Sequence, residues 1–113
     1  MTSEEYIRHA RGKQVKIIQE ELCPLKKEFK KAFADRVHDA LLKDTVKTVD
    51  DLLEEIDKFL QEQHVEEWSV TIDFRKGSEN RLISYGTSPS ERDLLCKFEY
   101  QVDYIHLVFS KYG

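Results

Sequence analysis

The sequence predicts an α+β domain of two layers, with three N-terminal helices packed on one face of a four-stranded antiparallel sheet. Three observations lead there. The stretch 66–75 alternates Trp68, Val70, Ile72 and Phe74 with Ser69, Thr71 and Asp73, the period of a strand with one wet face and one buried face. Ahead of it lie three runs with apolar residues at helical spacing, and behind it three more strand-like runs. Runs of helix followed by runs of strand give the α+β class rather than an alternating α/β sheet.

The first expected helix covers 3–22. Tyr6, Ile7, Ala10, Gln14, Ile17, Ile18 and Leu22 fall near one side of it, Thr2 or Ser3 can cap it, and Glu4 and Glu5 suit its first turn. Gly12 weakens it by about 1 kcal/mol against alanine. Pro24 has no amide proton and crowds the preceding turn, so a break is expected near Leu22 and Cys23. Leu25, Phe29, Ala32, Phe33, Val37, Ala40 and Leu41 then define a second helix over about 25–43, with Lys26, Lys27, Lys30, Lys31 and Asp35 opposite. Thr48 followed by Asp51 is a capping arrangement for a third, whose stripe of Val49, Leu52, Leu53, Ile56, Phe59 and Leu60 ends near Gln63.

The strand at 66–75 is expected to turn back through Lys76, Gly77, Ser78 and Glu79. Pairing Arg75 with Asn80 sets Ile72 across from Ile83 and Val70 across from Tyr85, so the inward residues of both strands agree. Ser88, Pro89, Ser90 and Glu91 have the form of a capping box and predict a short helical turn. Cys96, Phe98 and Tyr100 alternate with Lys97, Glu99 and Gln101, and Ile105, Leu107 and Phe109 alternate with His106 and Val108. A turn at Val102 and Asp103 would pair Phe98 with Leu107 and Tyr100 with Ile105, although Val-Asp is poor chemistry for a two-residue turn.

At 113 residues the chain reads as one domain over 1–113, large enough to bury roughly 60–70% of its unfolded surface without a staple. With 40% hydrophobic and 35% charged residues it has the composition of a soluble globular protein. The N-terminus lacks the basic and apolar regions of a signal peptide, and no run approaches the ~20 apolar residues of a membrane helix, so a cytoplasmic location is expected. Cys23 and Cys96 stand far apart and in no CxxC pattern, which favours free thiols in a reducing compartment.

No constellation carries chemistry, and the expectation is a protein without catalysis, metal or cofactor. His9, His38, His64 and His106 have no metal-ligand spacing. His106 falls on the outer sheet face opposite Glu99, as an exposed cross-strand charge pair, while Cys96 points inward and cannot meet it as a nucleophile would. Arg8, Arg11, Lys13 and Lys16, with Lys26, Lys27, Lys30 and Lys31, could form a basic surface for nucleic acid, but Glu20, Glu21 and Glu28 interrupt it.

The net charge of −4 is unevenly placed. The third helix carries Asp50, Asp51, Glu54, Glu55, Asp57 and Glu62, part of which the helix dipole explains. The remainder offers a docking face for a basic protein, and Tyr104 and His106 on the polar sheet face offer a second. The reading is therefore a small interaction module, such as an inhibitor, immunity-type protein or adaptor. Its rivals are a nucleic-acid-binding protein using the basic helix faces, and a ligand-binding protein or enzyme with a site between helices and sheet.

Overall fold

A computed structural model of the chain describes residues 2–20, 25, 27–76, 79–86 and 93–113. Its elements are helix α1 (Ser3–Ala10), strand β1 (Lys16–Glu20), helices α2 (Lys27–Leu42) and α3 (Val49–Glu62), and strands β2 (Trp68–Lys76), β3 (Glu79–Gly86), β4 (Leu94–Val102) and β5 (Ile105–Tyr112). The strands form one antiparallel sheet in the order β1-β4-β5-β2-β3. Among the described residues the class is α+β with three helices, and the sheet has five strands where four were expected.

The extra strand comes out of the expected first helix. Thr2 caps α1 through a capping box with Glu5, but the helix ends at Ala10 because Gly12 takes the left-handed conformation at φ +79°. Val15, Ile17 and Ile18 then fit an extended chain better than a helix, and β1 pairs with β4. Arg11 fixes this exit. Its Nε donates to Leu41 O at 2.8 Å, and a terminal nitrogen donates to Val46 O at 3.3 Å and Lys43 O at 3.4 Å, which ties α1 to the end of α2 and the α2–α3 loop. Arg11→Ala should cost about 1–3 kcal/mol by chemical denaturation, because the carbonyls lose a charged donor. A loss no larger than an ordinary surface change, about 0.5 kcal/mol, would show that water replaces the guanidinium.

α2 follows its expected stripe, and α3 opens at Thr48 with the expected capping box to Asp51. β2 and β3 pair as the alternation requires, with Arg75 opposite Asn80, Ile72 opposite Ile83 and Val70 opposite Tyr85. The β4–β5 hairpin departs from expectation. Its turn is Asp103 and Tyr104, so Phe98 meets Phe109, Tyr100 meets Leu107 and Val102 meets Ile105. Asp103 sits at φ +53°, a conformation that aspartate tolerates and valine does not. Both registers point the same residues inward. The expected turn at 88–91 and the loop residues Gly77 and Ser78 lie outside the described residues.

Trp68, Val70, Ile72 and Phe74 of β2 join Phe98, Tyr100 and Val102 of β4 and Ile105, Leu107 and Phe109 of β5 in one buried cluster with the apolar stripes of all three helices. Phe33 stacks on Tyr100 at 4.8 Å and meets Phe59 edge-on at 5.8 Å, while Tyr6 stacks on Phe74 at 4.8 Å. The Tyr100 hydroxyl donates to Lys30 O at 3.0 Å, and burial pushes its pKa well above the usual tyrosine value. Cys96, expected to be a free thiol, is fully buried and disulfide-bonded. Cys23, the chain's other cysteine, lies outside the described residues. The thiol argument for a reducing compartment therefore falls.

Candidate functional site

Because the helices share the inner face of the sheet, strand alternation delivers a separate set of side chains to the other face. Register places Lys16, Gln101, His106 and Asp73 in one row across β1, β4, β5 and β2. Gln19, Glu99, Val108 and Thr71 form the next row. His106 Nε2 lies 3.1 Å from Glu99 Oε1. In the observed register this contact is diagonal, since Val108 is the residue opposite Glu99.

The expected pair is present, but it is not exposed. The His106 side chain is 8% accessible and that of Glu99 16%. Asp73, directly opposite His106, is also buried; its Oδ2 accepts from Arg75 Nε, and its Oδ1 has no hydrogen-bond partner among the described residues. A merely solvated face does not account for this, since a buried carboxylate oxygen without a donor costs about 1–3 kcal/mol. One row on, Arg75 N donates to Tyr104 O at 2.9 Å, and both of these side chains are exposed. An arginine at the end of the β2–β5 ladder and a tyrosine of the β4–β5 turn are thus tied by a backbone bond beside a buried polar floor. Lys13 Nζ donates to Asp103 Oδ1 at 3.0 Å and anchors the neighbouring turn.

The acids of α3 are largely engaged by their own fold. Asp51 accepts from the backbone nitrogens of Lys47 and Thr48, each at 3.0 Å, and these bonds hold its pKa below the usual aspartate value. Glu62 takes both ends of the Arg36 guanidinium at 2.8 and 3.0 Å, and its pKa is lowered by that bond. Glu55 is mostly buried and accepts from Lys43 at 3.0 Å; Asp57 accepts from Gln61 at 3.1 Å; Glu54 lies 3.8 Å from Lys58. Asp50 is exposed. The segment's charge is therefore partly offset by Arg36 and Lys43 from α2, as well as by its own Lys58, and the contribution of α2 is one that a count along the segment cannot show.

The basic residues expected to make one surface are likewise divided. Arg11 faces backbone carbonyls, Lys13 pairs with Asp103, Lys30 pairs with Glu20, and Lys16 stands on a strand rather than a helix. Cys96 and His106 lie on opposite sheet faces. Among the described residues no three His, Cys, Asp or Glu side chains are grouped to hold a metal ion, and no helix is long and apolar enough to cross a membrane. No family model, curated protein or solved structure matches the chain.

Proposed function

We propose that this chain is a protein-interaction module of the inhibitor, immunity-type or adaptor kind, which binds its partner without catalysis across the outer face of the sheet. The observation that carries this reading is the exposed Arg75–Tyr104 pair, joined by a backbone bond between β2 and the β4–β5 turn, beside the mostly buried Asp73, His106 and Glu99. Tyrosine and arginine held on rigid backbone make good interface anchors, because little side-chain entropy remains to be lost on docking. Glu99 and Asp73 are paired with His106 and Arg75, so this polar floor positions the exposed pair rather than supplying free charge, and the α3 acids, in the opposite layer, act on a basic partner only through their longer-range field.

The test is affinity capture from the native host with three forms of the protein, each checked for fold by circular dichroism. The wild type should retain a protein partner, and Arg75→Ala with Tyr104→Ala should weaken that complex at least tenfold, about 1.4 kcal/mol. Asp50→Lys with Glu54→Lys should change chiefly its association rate and salt dependence. Asp51 is left alone because it caps α3, and losing it would cost about 1 kcal/mol of stability. Unchanged binding by the sheet-face variant, with loss in the helix variant, would move the interface to α3.

A further inference from the structure

β1 is an edge strand whose five residues are all exposed, including Ile17 at 40% and Ile18 at 51%. Edge strands are ordinarily blunted, because their unpaired backbone groups template further pairing; β1 is short, bulged at Ile18 and carries Lys16, yet it leaves two adjacent isoleucines exposed. α2 lies beside it: Lys30 pairs with Glu20, and Lys31, Ala34, Asp35 and His38 face the strand side across a cleft, with Lys27 and Leu42 at helical spacing on the same flank. Val15 and Ile17 from the strand side, and Lys31, Ala34, Asp35 and His38 from the helix, line an open cleft of about 450 Å³. His38 is held in place by Nδ1, 3.1 Å from Lys13 O.

We propose that this cleft receives an extended peptide segment of a partner protein, which adds to β1 as a sixth strand. A strand one place further out would lie about 4.8 Å beyond β1, and its alternate side chains would enter the space between Ile17 and the α2 flank. The cleft floor asks for apolar residues at those positions. Its charge favours acidic residues between and beside them by a small margin: Lys16, Lys27 and Lys31 line the edge without an ion pair among the described residues, and Glu28 and Asp35 are the exposed acids of the α2 flank set against them. Lys30 and Glu20, by contrast, already pair with each other.

A second copy of the chain fits less well. Antiparallel pairing of two β1 strands about Ile18 would set Lys16 against Glu20, but the bulge at Ile18 puts Lys16 beside Gln101 on the outer face and Glu20 beside Phe98 on the inner one. Cross-strand partners must share a face. The inference is independent of the outer-face reading, since it uses a different edge of the molecule.

A blocked hexapeptide of alternating valine and aspartate, titrated into ¹⁵N-labelled protein, tests it. Saturable shifts are expected at the amides of 14–20 and along 27–38, with Kd at or below about 1 mM. The same peptide with lysine for aspartate, and one with a central proline, should bind at least tenfold more weakly, as should Lys31→Glu protein with the acidic peptide. No shifts at about 1 mM peptide, shifts confined to the outer sheet face, or equal binding of the proline peptide would each overturn the proposal. Concentration-dependent dimerisation without peptide, abolished by Ile18→Lys, would assign the edge to a second copy instead.

Discussion

Phe33→Ala should lower the unfolding free energy by about 3–5 kcal/mol, a large share of the roughly 5–15 kcal/mol that holds a domain of this size together. Phe33 is 1% exposed and sits where both layers meet. Its ring stacks on Tyr100 of β4, meets Phe59 of α3 edge-on, and lies 5.5 Å from Phe109 of β5 and 6.3 Å from Phe29 of its own helix. Truncation would leave a cavity bounded by two helices and two central strands, none of which can collapse without disturbing the others. The same cavity would loosen the Tyr100 ring, whose hydroxyl is anchored to Lys30 O. Urea titration should show a lower midpoint with an unchanged slope. A loss below about 0.5 kcal/mol would show that the aromatic cluster repacks freely and that the helix–sheet seam lies elsewhere.

What the sequence discloses and what it conceals follow from how far apart the interacting residues are. α3 is legible because Thr48, Asp51 and the apolar stripe lie within one turn or one face of each other, and the β2–β3 register is legible because alternation and a short loop admit one pairing. β1 is not, because Ile17 and Ile18 satisfy a helical face with Tyr6, Ile7 and Ala10 as well as they satisfy a strand. The decision is made by the left-handed Gly12 and by pairing with β4, about eighty residues away along the chain. The β4–β5 turn was misplaced by one residue for a local reason, since Asp103 rather than Val102 accepts the positive φ. At the candidate site His106 could be put on the outer face from alternation alone. Alternation puts Asp73 on that face too, but its place directly opposite His106 could not be read, because β5 lies between β4 and β2 in the sheet, an order no hairpin rule supplies. The acidic helix was read from charges without their partners, and Arg36 and Lys43 on α2 change its meaning.

Reduction of the Cys96 disulfide should cost about 4 kcal/mol, and roughly 10–20 °C in Tm for a domain of this length. Cys96 lies fully buried on the inner face of β4, and its sulfur is disulfide-bonded. The sequence contains one other cysteine, Cys23, and a bond to it within the chain would enclose about 74 residues, long enough for cross-linking to remove much of the entropy of the unfolded state. A disulfide of this kind also belongs in an oxidising compartment, because glutathione and thioredoxin keep cytosolic thiols reduced. Protein prepared under oxidising conditions and denatured without reductant should titrate with no free thiol. Its Tm should fall on adding dithiothreitol, by an amount that Cys96→Ala reproduces to within the small cost of the alanine cavity. The comparison separates the cross-link from the packing, since dithiothreitol removes only the former. Two titratable thiols per denatured chain, or a covalent dimer on a non-reducing gel, would refute an intrachain bond. A Tm that ignores dithiothreitol while the thiols appear would show that the helix–sheet core alone sets the stability.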